Sequence, residues 1–214
     1  MNYHPDIDFL LKYSSGQLEP ALSVAIGVHL QDCESCREKV SQLEDVGGQT
    51  LESVAEESVS DEFFNKLLAD VEELPIEQNI SPFEECAVAE MDRPFVQQLS
   101  ERNYENLQWE KVTKNISKAT VAMNDPRFQM ELLKFAPRAK IPKHTHSGSE
   151  YTLVLEGDFS DKDGTYRTGE FIVNDSSVEH QPLAGDEGCV CLAITDAPLK
   201  FTGTFGPIIN WWVN

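Results

Sequence analysis

All five histidines of this 214-residue chain, and two of its five cysteines, fall into two tetrads with metal-ligand spacing. The first is His4, His29, Cys33 and Cys36; the second is His144, His146, Glu150 and His180. They lie near opposite ends of the chain and differ in chemistry, one mixing thiol with imidazole and the other imidazole with carboxylate. Two such sites predict two domains with two jobs.

His29, Cys33 and Cys36 have the spacing H-x3-C-x2-C. Residues four apart share a helical face, so His29 and Cys33 reach one point and Cys36 follows about a turn later. Zinc takes thiolate and imidazole tetrahedrally, which leaves one position after three local ligands. His4 in that position closes the site and pins the first helix to those that follow, coupling metal binding to folding. Water there leaves the site open for catalysis.

His144 and His146 are two apart, so on a strand they face the same way, and Glu150 follows a short Ser-Gly-Ser turn. His180 ends a further strand-turn segment. Three imidazoles and a carboxylate suit zinc or another divalent transition metal. Cys189 and Cys191 share one face of a predicted strand. Buried packing is the commoner use of such a pair, and a redox pair beside the metal is the sharper reading. Cys86, flanked by Glu84 and Glu85, is given no role.

Periodicity divides the chain in the same way. Phe9, Leu10 and Tyr13 share a helical face that Ser14, Ser15 and Gly16 end. A second helix runs from Leu18 to Leu30. Cys36, Val40 and Leu43 mark a third, expected to stop at Gly47 and Gly48, with a loop over 49–60. Ser60 or Asp61 caps a fourth, whose apolar stripe is Phe64, Leu67, Leu68, Val71 and Leu74, with Pro75 beyond it. Such a stripe is core or, in a small lobe, a partner-binding face. Prolines 75, 82 and 94 mark a linker or domain edge. Short strands with turn signals follow, at Leu107–Val112, Met130–Phe135, Tyr151–Leu155, Glu170–Val173, Val190–Thr195 and Leu199–Thr202. There is no internal repeat. Trp211 and Trp212 seal the barrel or cover the interface between the lobes.

Charge limits the partners. Residues 1–90 carry 20 Asp/Glu against 4 Lys/Arg, whereas residues 91–214 carry 17 against 13. An acidic N-terminal lobe repels phosphate backbones, which argues against direct DNA binding, and attracts a basic protein partner. There is neither a signal-peptide pattern nor an apolar run long enough to span a bilayer, so a cytoplasmic protein with no membrane association is expected.

The first tetrad resembles the zinc-containing anti-sigma factors, whose signature is H-x3-C-x2-C with an upstream histidine. The second resembles the cupins: His144, His146, Glu150 and Gly157 match H-x-H-x3,4-E-x6-G, and Gly169 and His180 match a second motif. Arg138, Asp175, Ser177 and Ala184 stand where that pattern has Gly, Pro, Gly and Asn, so the ligands are kept and the turn residues are not. Together the halves resemble the ChrR type of anti-sigma factor. This resemblance implies a multi-domain α + β chain. A zinc-bound helical bundle of about four helices (1–80) and a linker (81–100) precede an all-β cupin, a double-stranded β-helix or jelly-roll barrel (101–214). It implies that the helical domain sequesters an extracytoplasmic-function sigma factor, and that the cupin receives an oxidative, singlet-oxygen-like signal that releases it. It also implies that the chain is not an enzyme. The alternative is a metal-dependent cupin oxygenase or isomerase with an appended regulatory helical domain.

Overall fold

The computed structural model describes residues 1–72, 99, 101–104, 107–122 and 125–202. The expected linker (Leu99 apart), Leu74, Cys86 and the closing tryptophans fall outside them.

Each helix has a local cause. Asp6 caps α1 (Ile7–Ser14), its carboxylate accepting from the backbone N–H groups of Asp8 and Phe9 at 3.0 and 3.1 Å. Gly16, at φ +69°, takes the left-handed turn that follows. Pro20 opens α2 (Pro20–Asp32), where its missing N–H is not needed. α2 is apolar on every face, with Leu22, Ala25, Ile26, Val28 and Leu30 all buried, because it lies between the other helices and the sheet. Cys33 ends α2 and begins α3 (Glu34–Glu52).

α3 corrects the sequence reading, for it runs through Gly47 and Gly48 into the expected loop. Glycine disfavours a helix interior by only about 1 kcal/mol. Neither glycine adopts positive φ, and Thr50 adds a hydrogen bond back to the Val46 carbonyl at 2.9 Å. α4 (Asp61–Glu72) starts at Ser60, whose hydroxyl accepts from the Phe63 N–H. Among the described residues no helix is long and apolar enough to cross a membrane.

The rest is an antiparallel cupin-like fold. β1 (Glu110–Thr113), β2 (Ile116–Val121), β3 (Gln129–Phe135), β9 (Leu183–Thr195), β5 (Glu150–Ser160) and β6 (Thr165–Arg167) are hydrogen-bonded in that order, with β7 (Phe171–Asn174) also on β5. A second sheet has the order β10 (Leu199–Phe201), β4 (His144–His146), β8 (Glu179–His180). The strands exceed the sequence reading, which lacked β2, β6 and β8 and made β5 and β9 too short. β2 mixes apolar and polar side chains evenly, β6 is three residues long and β8 two.

β5 and β9 explain the shared core. Leu153, Leu155, Leu192 and Ile194 pack with Leu10, Leu22 and Ile26 of the helices. Val154, Cys189 and Cys191, on the opposite face, pack inside the barrel with Phe159 and Ile172. Both faces of these strands are therefore buried, which is why they read as near-continuous apolar runs.

Two candidate metal centres

The first tetrad assembles where four segments meet. His29 lies in the last turn of α2, Cys33 between the helices, Cys36 in the first turn of α3, and His4 on the extended approach to α1. The sequence reading brought His29 and Cys33 together by their helical spacing of four residues. The helix breaks at Cys33, yet its N–H still bonds the His29 carbonyl at 3.1 Å, so the one-turn spacing survives. One donor atom from each residue lies within 4.8 Å of all the others. His4 Nδ1 is 3.3 Å from Cys33 Sγ and 3.5 Å from Cys36 Sγ. A tetrahedral zinc site with ordinary bond lengths has ligand edges of about 3.3–3.8 Å.

Proton positions point the same way. A backbone carbonyl can only accept, so the contact of His4 Nε2 with the Met1 carbonyl, 3.2 Å, places the ring proton there and aims the Nδ1 lone pair at the two sulfurs. His29 Nδ1 donates to the Gly169 carbonyl at 2.6 Å. Its Nε2 is then a lone-pair acceptor, and it is buried with no hydrogen-bond partner. A buried, unpaired acceptor is costly in the absence of a cation. Burial, opposed by the Gly169 carbonyl, lowers the His29 pKa and keeps the ring neutral. Burial raises the Cys33 thiol, but hydrogen bonds involving Ser35 and Cys36 outweigh it and leave the pKa lowered. Burial and the neighbouring Cys33 push Cys36 up to about 11.

The second tetrad forms on β4, β5 and β8. Antiparallel pairing sets His144 opposite His180, and His146 lies on the same face as His144. His144 Nε2 is 3.0 Å from His180 Nε2, which is 3.3 Å from His146 Nε2. Glu150 Oε2 lies 3.7 Å from His146 Nε2. His144 Nδ1 donates to the Pro142 carbonyl at 2.8 Å, and His180 Nδ1 faces the Asp161 carboxylate at 3.0 Å. Both rings thus direct bare Nε2 lone pairs at one another, an arrangement that a cation makes favourable. Burial lowers the pKa of His144 and His146 to about 4 and raises that of Glu150 to about 7.

The donor sets and orphaned acceptors fit a metal in both places. The second tetrad borders a cavity of about 840 Å³, with Leu133, Phe135, Ile141 and Phe201 among its apolar walls. Cys191 reaches the same cavity. Its Sγ is 3.2 Å from that of Cys189, and both thiols are buried. Hydrogen bonding to Cys189 and then burial raise the Cys191 pKa.

Two departures from the cupin pattern acquire structural meaning. Arg138, in place of the expected glycine, sits at φ +57°, the left-handed conformation for which glycine is favoured. Asp175 accepts from both the N–H and the hydroxyl of Ser177, at 2.8 and 2.5 Å, and so builds the turn without Pro or Gly. Sequence reasoning missed the outer partners Asp161, Pro142 and Gly169. Two of these act through carbonyls, which any residue carries, and Asp161 belongs to a turn with no ligand spacing.

The predicted partner-binding residues Phe64, Leu67, Leu68 and Val71 lie on α4 and are 46–56% exposed. Phe63 stands beside them, 60% exposed.

Fold and sites define the class: a helical lobe with a two-histidine, two-cysteine cluster, packed on a cupin-like barrel with a three-histidine, one-glutamate cluster. Residues 101–198 match the ChrR cupin-like domain family. The chain is 29% identical over 212 residues to the anti-sigma-E factor ChrR of Cereibacter sphaeroides, covering 98% of this chain and 97% of that protein. It is also similar to a chain in the crystal structure of Rhodobacter sphaeroides SigE in complex with the anti-sigma ChrR. That match has a TM-score of 0.72 and 26% identity, and covers 91% of this chain and 99% of the other. The resemblance to ChrR-type anti-sigma factors therefore extends along nearly the whole chain.

Proposed function

We propose that this protein is an anti-sigma factor. Its helical domain, residues 1–80, holds an extracytoplasmic-function sigma factor, and its cupin domain, residues 101–214 beyond a linker at 81–100, governs release. The observation that carries this reading is the likeness to ChrR over 91% of the chain in a structure where ChrR is bound to SigE. The acidic balance of residues 1–90 and the uncovered apolar stripe of α4 support it independently.

Phe64, Leu67, Leu68 and Val71 have the spacing of a helix that lays one face in a groove. His4, His29, Cys33 and Cys36 would hold zinc, the ion this donor set favours, and so fix the approach to α1 against the junction of α2 and α3. His144, His146, Glu150 and His180 would hold zinc or another divalent transition metal, which supplies a Lewis-acidic centre facing the cavity. The chain's role there is regulatory, in the cytoplasm, with no membrane and no direct DNA contact. Cys189 and Cys191 are the groups suited to an oxidative, singlet-oxygen-like signal. An oxidant would take two electrons and their two protons and leave one disulfide. The signal shifts the sigma-binding equilibrium only by its differential affinity for the two states.

Co-expression of the full chain with the host's extracytoplasmic-function sigma factors tests the reading. Wild type should co-purify with one of them, and Phe64→Asp/Leu68→Asp should lose it at least ~10-fold, as expected for central apolar anchors. Retention of the sigma factor by that variant would remove α4 from the interface.

A further inference from the structure

The first metal centre is not built by the helices alone. His29 Nδ1 donates to the carbonyl of Gly169, 140 residues away in the turn between β6 and β7, at 2.6 Å. The next residue, Glu170, is a buried carboxylate, 2% exposed. Glu170 Oε1 accepts from the Asn2 N–H at 2.6 Å, and Oε2 accepts from the Arg167 N–H at 2.8 Å. The Phe171 N–H then bonds the Tyr3 carbonyl at 3.2 Å. The Tyr3 ring lies edge-on against Tyr166 at 4.6 Å. One short stretch of the barrel thus orients the ring of His29 and anchors the two residues before His4.

Gly169 permits the approach. A Cβ there would lie 2.3 Å from Met1 Cε and 3.4 Å from Asp32 Cβ, and its φ of +85° is one that other residues rarely adopt. Arg102 ties the same end of α2 to the barrel by bonding the Leu155 carbonyl at 2.8 Å and pairing with Asp32.

We infer that the cupin turn Thr168–Phe171 is the outer shell of the helical domain's metal centre, with Glu170 as its positioning residue. Hydrogen bonds that orient ligands commonly change metal affinity 10- to 100-fold. Coupling of this kind is reciprocal: whatever displaces the turn loosens the metal, and loss of the metal loosens the turn. A change inside the barrel then reaches the sigma-binding helices through β7 and Gly169 without passing along residues 81–100. The inference rests on reading the first tetrad as a metal centre.

Cobalt(II) titration of the full-length protein tests it, because of the two tetrads the first alone contains cysteine. Cys33→Ser/Cys36→Ser serves as the blank for the sulfur-to-cobalt band. Glu170→Ala should weaken cobalt at the thiolate centre roughly 10-fold, and Glu170→Gln, which keeps one acceptor oxygen, should recover part of the loss. An unchanged affinity in Glu170→Ala would overturn the inference. A wild-type protein with no sulfur-to-cobalt band would overturn the metal reading beneath it. A second measurement needs no change at Glu170. Hydrogen exchange of the Phe171 amide should be about 5- to 150-fold faster in Cys33→Ser/Cys36→Ser than in zinc-loaded wild type. Equal protection would contradict the reciprocity.

Discussion

Asp161 shows how a single residue extends a site beyond its ligands. Its carboxylate is buried beside His180 Nδ1 and fixes which ring nitrogen faces the other imidazoles. Asp161→Asn should therefore weaken metal binding at the cupin tetrad ~10- to 100-fold. Competition with a chromophoric chelator measures this, and wild-type affinity in the variant would mean that the contact does not orient the ring. All eight candidate ligands were legible in the sequence, because ligand chemistry restricts residue type and spacing. Their supports were not. Gly169 supports His29 through its carbonyl, the Glu170 carboxylate accepts from the backbone N–H groups of Asn2 and Arg167, and no ligand spacing marks either role. The Cys189 and Cys191 thiols, 3.2 Å apart, carry a prediction at this scale as well. Cys189→Ala/Cys191→Ala should repress like wild type at rest and lose its response to an oxidant in a sigma-dependent reporter assay. An intact response would return the pair to packing.

Among the elements, α4 was legible both as a helix and as an apolar stripe; whether the stripe was core or surface was not. Periodicity reports which residues share a face and says nothing of what covers that face. The structure leaves the stripe exposed, so Phe64→Asp/Leu68→Asp should change unfolding stability by no more than about 0.5 kcal/mol, as at an ordinary surface site. A larger loss in thermal or denaturant unfolding would show that the stripe packs internally. α3 was read too short because its glycines suggested an end, although helical hydrogen bonding outlasts two residues of weak propensity. β5 and β9 were found only in their most apolar parts, and their polar ends are strands because neighbouring strands pair with them.

At the scale of the whole molecule, helices and barrel share one core through Leu153, Leu155, Leu192 and Ile194. The sequence predicted two lobes with two sites; their common core depends on which face of β5 and β9 meets α2, which no local pattern records. Leu192 is fully buried there, so Leu192→Ala should cost 2–5 kcal/mol of stability. Helices and barrel should unfold together in wild type. Separate transitions for the two would contradict a single core. The account turns on a metal-organised clamp that grips a sigma factor. Its most direct test is to co-express the full-length chain with its sigma factor, purify under reducing conditions, and measure bound metal and bound partner in the same sample. Wild type should carry both. Cys33→Ser/Cys36→Ser should lose the metal of the first centre, retain that of the cupin, and lose the sigma factor. A variant that has lost the first metal yet retains the sigma factor at wild-type yield would contradict the account.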